Sequence, residues 1–132
     1  MSFKSDVKRW TNKAKRIENA IARDVALTVT EALVDGLPEY ADVNGSPVDT
    51  GFFRANWRVG LNAMPPMGAE GVAADNSAVV ALGKAGDVFY IVNGVEYGPY
   101  LELGRSPQAP SGIVGPTAAA FRGTVDGVTE KP

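Results

Sequence analysis

The residues of this chain best suited to reaction chemistry are two pairs of carboxylates, Glu96 with Glu102 and Asp42 with Asp49. Two carboxyl groups facing across a cleft can divide the work of acid and base, because each raises or lowers the other's affinity for a proton. No motif around either pair fixes such a cleft, and carboxylates at this density serve in most domains as caps and solvated surface. The chain has no histidine and no cysteine. That removes the commonest general base, the commonest metal ligand, any thiolate nucleophile and any disulfide. It has no G-x-S-x-G, no phosphate-binding loop, no G-x-G-x-x-G and no calcium-loop spacing. The expectation is a protein without catalysis, cofactor or metal, in which Asp49 caps a helix.

Charge is the second possible source of chemistry. The net charge is −2, but residues 1–23 carry seven basic side chains against Asp6 and Glu18, leaving −7 on the rest. Within the basic segment Lys8, Arg9, Lys15, Arg16 and Arg23 form a patch compatible with phosphates or an acidic partner. Stacking on bases needs exposed aromatics, and Trp10 lies on the apolar side of this segment. Non-specific contact with a polyanion is therefore open, beside the plain reading of a solvated helix face. Opposite charges on the two parts also suit head-to-tail packing between copies.

The elements that must position these residues follow from periodicity. From Phe3 to Val34, apolar residues recur every three or four positions: Phe3, Val7, Trp10, Ala14, Ile17, Ile21, Val25, Thr28 and Ala32. At about 100° per residue they form one narrow stripe. Ser2 or Ser5 can cap this helix, and Gly36 with Pro38 ends it. One helix of about thirty residues would span roughly 45 Å, more than a domain of 132 residues needs to cover its sheet. The alternative is two helices broken near Arg23–Asp24.

Residues 37–50 read as loop, with Asp49 or Thr50 capping a short helix through Ala55. Residues 56–61 alternate as a half-buried strand, with Trp57, Val59 and Leu61 inward and Asn56 and Arg58 outward. Residues 62–73 read as a mobile loop. Asp75 or Asn76 caps a short helix to Lys84, with Val79, Val80 and Leu82 inward. The unbroken run Val88–Val92 fits a strand buried on both faces, and Asn93-Gly94 offers a two-residue hairpin. Tyr97–Leu103 fits a short helix with Pro99 in its first turn and Gly104 past its end. A last helix runs from Pro116 to about Val125.

The fold expected is α+β: a long N-terminal helix packed on a small, mainly antiparallel sheet of three or four strands, with short flanking helices. Its divisions are a basic helical arm over 1–36, a core over 37–125 and a flexible tail over 126–132. Hydrophobic residues make up 45% of the chain, enough for one core. No run approaches the roughly 18 apolar residues that span a bilayer, and no secretory leader pattern is visible. The expected setting is a cytoplasm, with no membrane partner.

Four blocks then carry a resemblance. Pro47-Val48-Asp49-Thr50-Gly51-x-x-Arg54 is similar to the P-V-D-T-G-x-L-R segment of the neck, or tail-completion, proteins of long-tailed double-stranded DNA bacteriophages. Gly86-Asp87-Val88-Phe89-Tyr90-Ile91-Val92-Asn93 resembles their G-D-x-x-Y-I-x-N strand. Tyr97-Gly98-Pro99-Tyr100-Leu101-Glu102-Leu103-Gly104 resembles Y-A-x-x-L-E-x-G, and Gln108-Ala109-Pro110-Ser111-Gly112-Ile113-Val114 resembles Q-A-P-x-G-x-V. The order is kept over residues 47–122, while Pro99 and Pro116 depart from the pattern. The resemblance implies a virion structural protein assembled in the host cytoplasm. It would form a ring of six, or alternatively twelve, copies at the head–tail junction, as a neck or tail-terminator component. Its partners would be itself and the neighbouring connector and tail proteins, with DNA passing through the lumen without specific contact. Alternatives are a minor tail-tube or baseplate-associated protein, and a small nucleic-acid-associated adaptor using the basic helix.

Residue roles follow the same line. Asp49 and Thr50 would hold the first turn, and Gly51 would permit close backbone approach. Arg54 would pair with Glu102 of the same or an adjacent copy. Tyr97, Tyr100, Gln108 and Pro110 would belong to the framework or a subunit interface.

Overall fold

The structure, a computed structural model, describes residues 2–48, 51–66 and 73–129, with side chains through Arg122. Helix α1 runs unbroken from Phe3 to Asp35. Ser2 caps it, its hydroxyl accepting from the Ser5 amide at 3.2 Å. No glycine or proline interrupts the 33 residues, so nothing breaks the backbone ladder at Arg23–Asp24. The helix stops at Gly36, whose φ of 84° lies outside helical space. A side chain there would meet the Val43 carbonyl at 2.6 Å, so the returning loop packs against bare backbone.

Short elements follow: α2 (Phe52–Ala55), β1 (Trp57–Leu61), α3 (Asn76–Ala81), β2 (Phe89–Asn93), α4 (Gly98–Glu102) and α5 (Val114–Thr129). The fold is α+β as expected. Among the described residues the sheet has two strands, not three or four. β1 and β2 pair antiparallel, with Trp57 opposite Asn93, Val59 opposite Ile91 and Leu61 opposite Phe89. A third strand beside β1 is replaced by one side chain. Asn76 donates to the Trp57 carbonyl at 2.9 Å and accepts from the Val59 amide at 3.1 Å. An amide side chain thus satisfies the strand edge as a neighbouring peptide would.

Two apolar clusters share Ile91. One joins Leu33, Phe53, Trp57, Val95, Ala109 and Ile113; the other joins Ala26, Val59 and Val80. Both draw only on the C-terminal part of α1, where Ala26, Thr30, Ala32 and Leu33 are buried. Residues 2–18 are all exposed. Asn19, which accepts from the Ala85 amide at 3.0 Å, and Arg23, which donates to the Gly83 carbonyl at 3.1 Å, tie the helix to the body.

Several local expectations are corrected. Val88 and Tyr90 are exposed, so the apolar run is not buried on both faces. Among the described residues there are two strands and one helix layer, and no element covers the second face. Asn93-Gly94 makes no hairpin: β2 pairs back to β1, and Asn93 instead accepts from the Val95 amide to turn the chain into α4. α3 ends at Ala81, which leaves Leu82 exposed. Asn56 does not face outward; it is wholly buried at the end of α2, donating to the Phe52 carbonyl. α5 begins at Val114, with Pro116 in its first turn, where no intrahelical donor is lost. It continues to Thr129, so of the expected tail residues 126–129 are helical and 130–132 lie outside the described residues. Residues 67–72 of the expected loop also lie outside them.

Candidate functional site

The motif residues Asn93, Gly98, Pro99, Glu102, Ile113 and Val114 line, with Phe53 and Trp57, a cavity of about 340 Å³ whose lining holds one carboxylate, Glu102, and no acid–base pair. The motif residues also act as ties between chain segments far apart in sequence, most ties being one polar side chain meeting backbone. Gln108 makes two such bonds with Val48, accepting from its amide at 2.9 Å and donating to its carbonyl at 3.0 Å. Asn93 donates to the Phe53 carbonyl at 2.8 Å, locking the end of β2 to α2. Trp57 donates through Nε1 to the Ser46 hydroxyl at 2.7 Å, and Ser46 passes the chain on to the Leu33 carbonyl at 2.6 Å. Ser46 is 2% exposed, so this relay replaces water throughout.

Glu102 is the strongest tie. Its carboxylate accepts from three successive amides: Ile113 at 2.9 Å, Val114 at 2.8 Å and Gly115 at 2.9 Å. These are the orphan donors at the N-terminus of α5, where the helix dipole also favours negative charge. Gly112 makes the approach possible. Its φ is 92°, and a Cβ there would meet the Glu102 carbonyl oxygen at 2.6 Å. The L-E-x-G and G-x-V blocks are therefore two halves of one capping arrangement.

Arg54 does not pair with Glu102 within the chain, because that carboxylate is occupied by α5. Arg54 instead reaches back to Asp35 at 3.3 Å and donates to the Ser46 carbonyl at 3.0 Å. Its Nε is buried without a partner among the described residues. Gly51, with φ of 82°, stands at the N-cap position of α2 and has no side chain to cap it; among the described residues nothing lies within 4 Å of where its Cβ would be, so the close backbone approach expected there is not made. Asp49 and Thr50, expected to cap it, lie outside the described residues. Asp75 does cap α3, accepting from the Ala78 amide at 3.2 Å. Tyr97 lies 45% exposed with its ring 5.9 Å from Phe53, while Tyr100 is 58% exposed. Pro110 presents its carbonyl to the backbone of Gly104.

A tie that the sequence reading missed lies beside the sheet. Asn62, at φ 59°, accepts from the Val88 amide and donates to Asp87, and the Lys84 amide also donates to Asp87. These bonds hold the Asp87 carboxyl below its ordinary value, the Asn62 contact being the largest cause. The signal available in sequence was the Asn62 turn position, where asparagine tolerates left-handed backbone.

Of the basic residues, Lys8, Arg9, Lys15 and Arg16 lie on the exposed arm, whereas Arg23 is anchored to Gly83. The arm also exposes its apolar stripe: Phe3 is 83%, Trp10 76% and Ile17 52% exposed. Among the described residues, no three acidic groups cluster as a metal site would require, and no helix is long and apolar enough to cross a membrane. The arrangement can hold a rigid framework and present an arm. Comparison of the chain with protein families, with curated proteins and with solved structures finds no match.

Proposed function

We propose that this chain is a virion structural protein that forms a ring at the head–tail junction of a long-tailed bacteriophage, joining capsid connector to tail. The observation that carries the reading is the bare stripe on α1. An exposed row of Phe3, Val7, Trp10, Ile17 and Ile21 is characteristic of a surface that another protein covers. Two further features support it. The motif residues are spent on internal ties that stiffen the body, which suits a load-bearing subunit. The basic arm and the acidic remainder give each copy two unlike surfaces, as a closed head-to-tail ring requires.

The test is direct. Light scattering after size exclusion, with negative-stain imaging of the same fractions, should give a closed ring of uniform size or addition of the subunit to a purified connector. A virion map should place its density at the neck. A monodisperse monomer that adds to no connector, or density elsewhere in the particle, would sink the proposal. Retention on DNA at low salt without a ring would favour the adaptor reading instead.

A further inference from the structure

The spacing of the exposed stripe is tighter than amphipathicity demands. Phe3, Val7, Trp10, Ala14, Ile17 and Ile21 are separated by 4, 3, 4, 3 and 4 residues. That is the 3.5-residue repeat of a coiled-coil seam, with Val7, Ala14 and Ile21 at the first core position of each heptad and Phe3, Trp10 and Ile17 at the second. Lys8, Arg9, Lys15, Arg16 and Arg23 then all fall on the far side of the helix, away from the seam. Among the described residues the exposed arm runs through Glu18, and Asn19 is the first half-buried position, so none of the described residues buries the seam.

We infer that the arm, residues 3–21, packs in parallel and in register along the same arm of an adjacent copy. The charges beside the seam select this occupant. Lys13 lies on one flank and Glu18 on the other. They are five residues apart, on opposite sides of the stripe, and so cannot meet within one helix. In a parallel pair, Lys13 of one arm faces Glu18 of the next, where flanking salt bridges set orientation. Asp6 faces Thr11, and no like charges meet. The antiparallel register that best aligns the seam sets Phe3 over Ile21 and Val7 over Ile17. It pairs Lys4 with Glu18 but places Lys13 against its own copy. The parallel choice also rests on the ring reading, since a cyclic operation carries each arm onto its neighbour without reversing it. Each arm then offers its Lys13 flank to one neighbour and its Glu18 flank to the other.

The chain has no cysteine, so single cysteines report contacts cleanly. Ala14→Cys, in the seam, and Asn12→Cys, on the far face, are made in the full chain and treated with a short bis-maleimide. Dimers are expected from Ala14→Cys at many times the yield from Asn12→Cys. Adding Lys13→Glu to Ala14→Cys should lower the yield severalfold, and adding Glu18→Lys as well should restore it. Equal yields at the two cysteine positions, or a double reversal no better than the single one, overturns the inference. A ring without the Ala14→Cys link removes this inference and leaves the proposed function standing. The link without a ring does the reverse.

Discussion

Replacing Glu102 by alanine removes one carboxylate and strands three amides at once. Val114 and Gly115 are exposed, so water can take over those two bonds with little loss. Ile113 is 3% exposed, and its amide is left without a partner. An orphaned buried donor costs about 1–3 kcal/mol. Loss of the negative charge at the start of α5 adds roughly 0.3–1 kcal/mol. The sum is about 1–4 kcal/mol, a sizeable share of the roughly 5–15 kcal/mol that holds a domain together. In a chain of this length that lowers the thermal midpoint by roughly 5–16 °C. Urea unfolding followed by fluorescence is a suitable assay, because Trp57 is 4% exposed and Trp10 is already 76% exposed in the fold. The signal change therefore reports the core. Glu102→Gln keeps an acceptor oxygen without the charge and should lose about half as much. If Glu102→Ala falls within about 0.5 kcal/mol of the parent, the carboxylate is not what anchors α5, and the linkage argued for the two motif blocks is wrong.

Two further outcomes are expected. Ser46→Ala should cost about 1–3 kcal/mol in urea unfolding, since it removes the acceptor for the buried Trp57 Nε1–H and the donor to the Leu33 carbonyl; a neutral result would mean that the relay is incidental. Asp87 has its folded pKa lowered, so its contribution to stability is complete above the unfolded value and is lost as pH falls through the lower folded value. The difference in thermal midpoint between the parent and Asp87→Asn should therefore be full near neutrality and close as acid protonates the carboxylate. A difference that is constant across that range refutes the assignment to the Asn62 and Lys84 contacts.

Much of the local structure was legible from residue types. The uninterrupted 3-and-4 spacing from Phe3, the cap at Ser2 and the stop at Gly36 define α1, because helix geometry depends on neighbours within one turn. Alternation around Trp57 and Val59 marks β1, and Pro99 with Gly104 brackets α4. The same local rules failed where the answer lay across the chain. The Val88–Val92 run reads as a fully buried strand by composition, yet Val88 and Tyr90 on its outer face are exposed because no third layer among the described residues covers them. Asn93-Gly94 has hairpin chemistry, but Asn93 was drawn into bonds with Phe53 and Val95 by the pairing of β2 with β1.

The candidate site divides in the same way. Residue types marked Glu102, Gln108 and Arg54 as polar groups worth attention, but their partners are other segments' backbone, and composition carries no record of that. Glu102 was expected to face Arg54; folding brought it to the amides of α5, where three donors and a helix dipole outcompete one half-exposed guanidinium. Charge asymmetry and the apolar stripe were properties of the sequence alone, since each follows from spacing along a single helix. Only the tertiary structure decided that the stripe stays exposed, because among the described residues burial of α1 begins no earlier than Asn19.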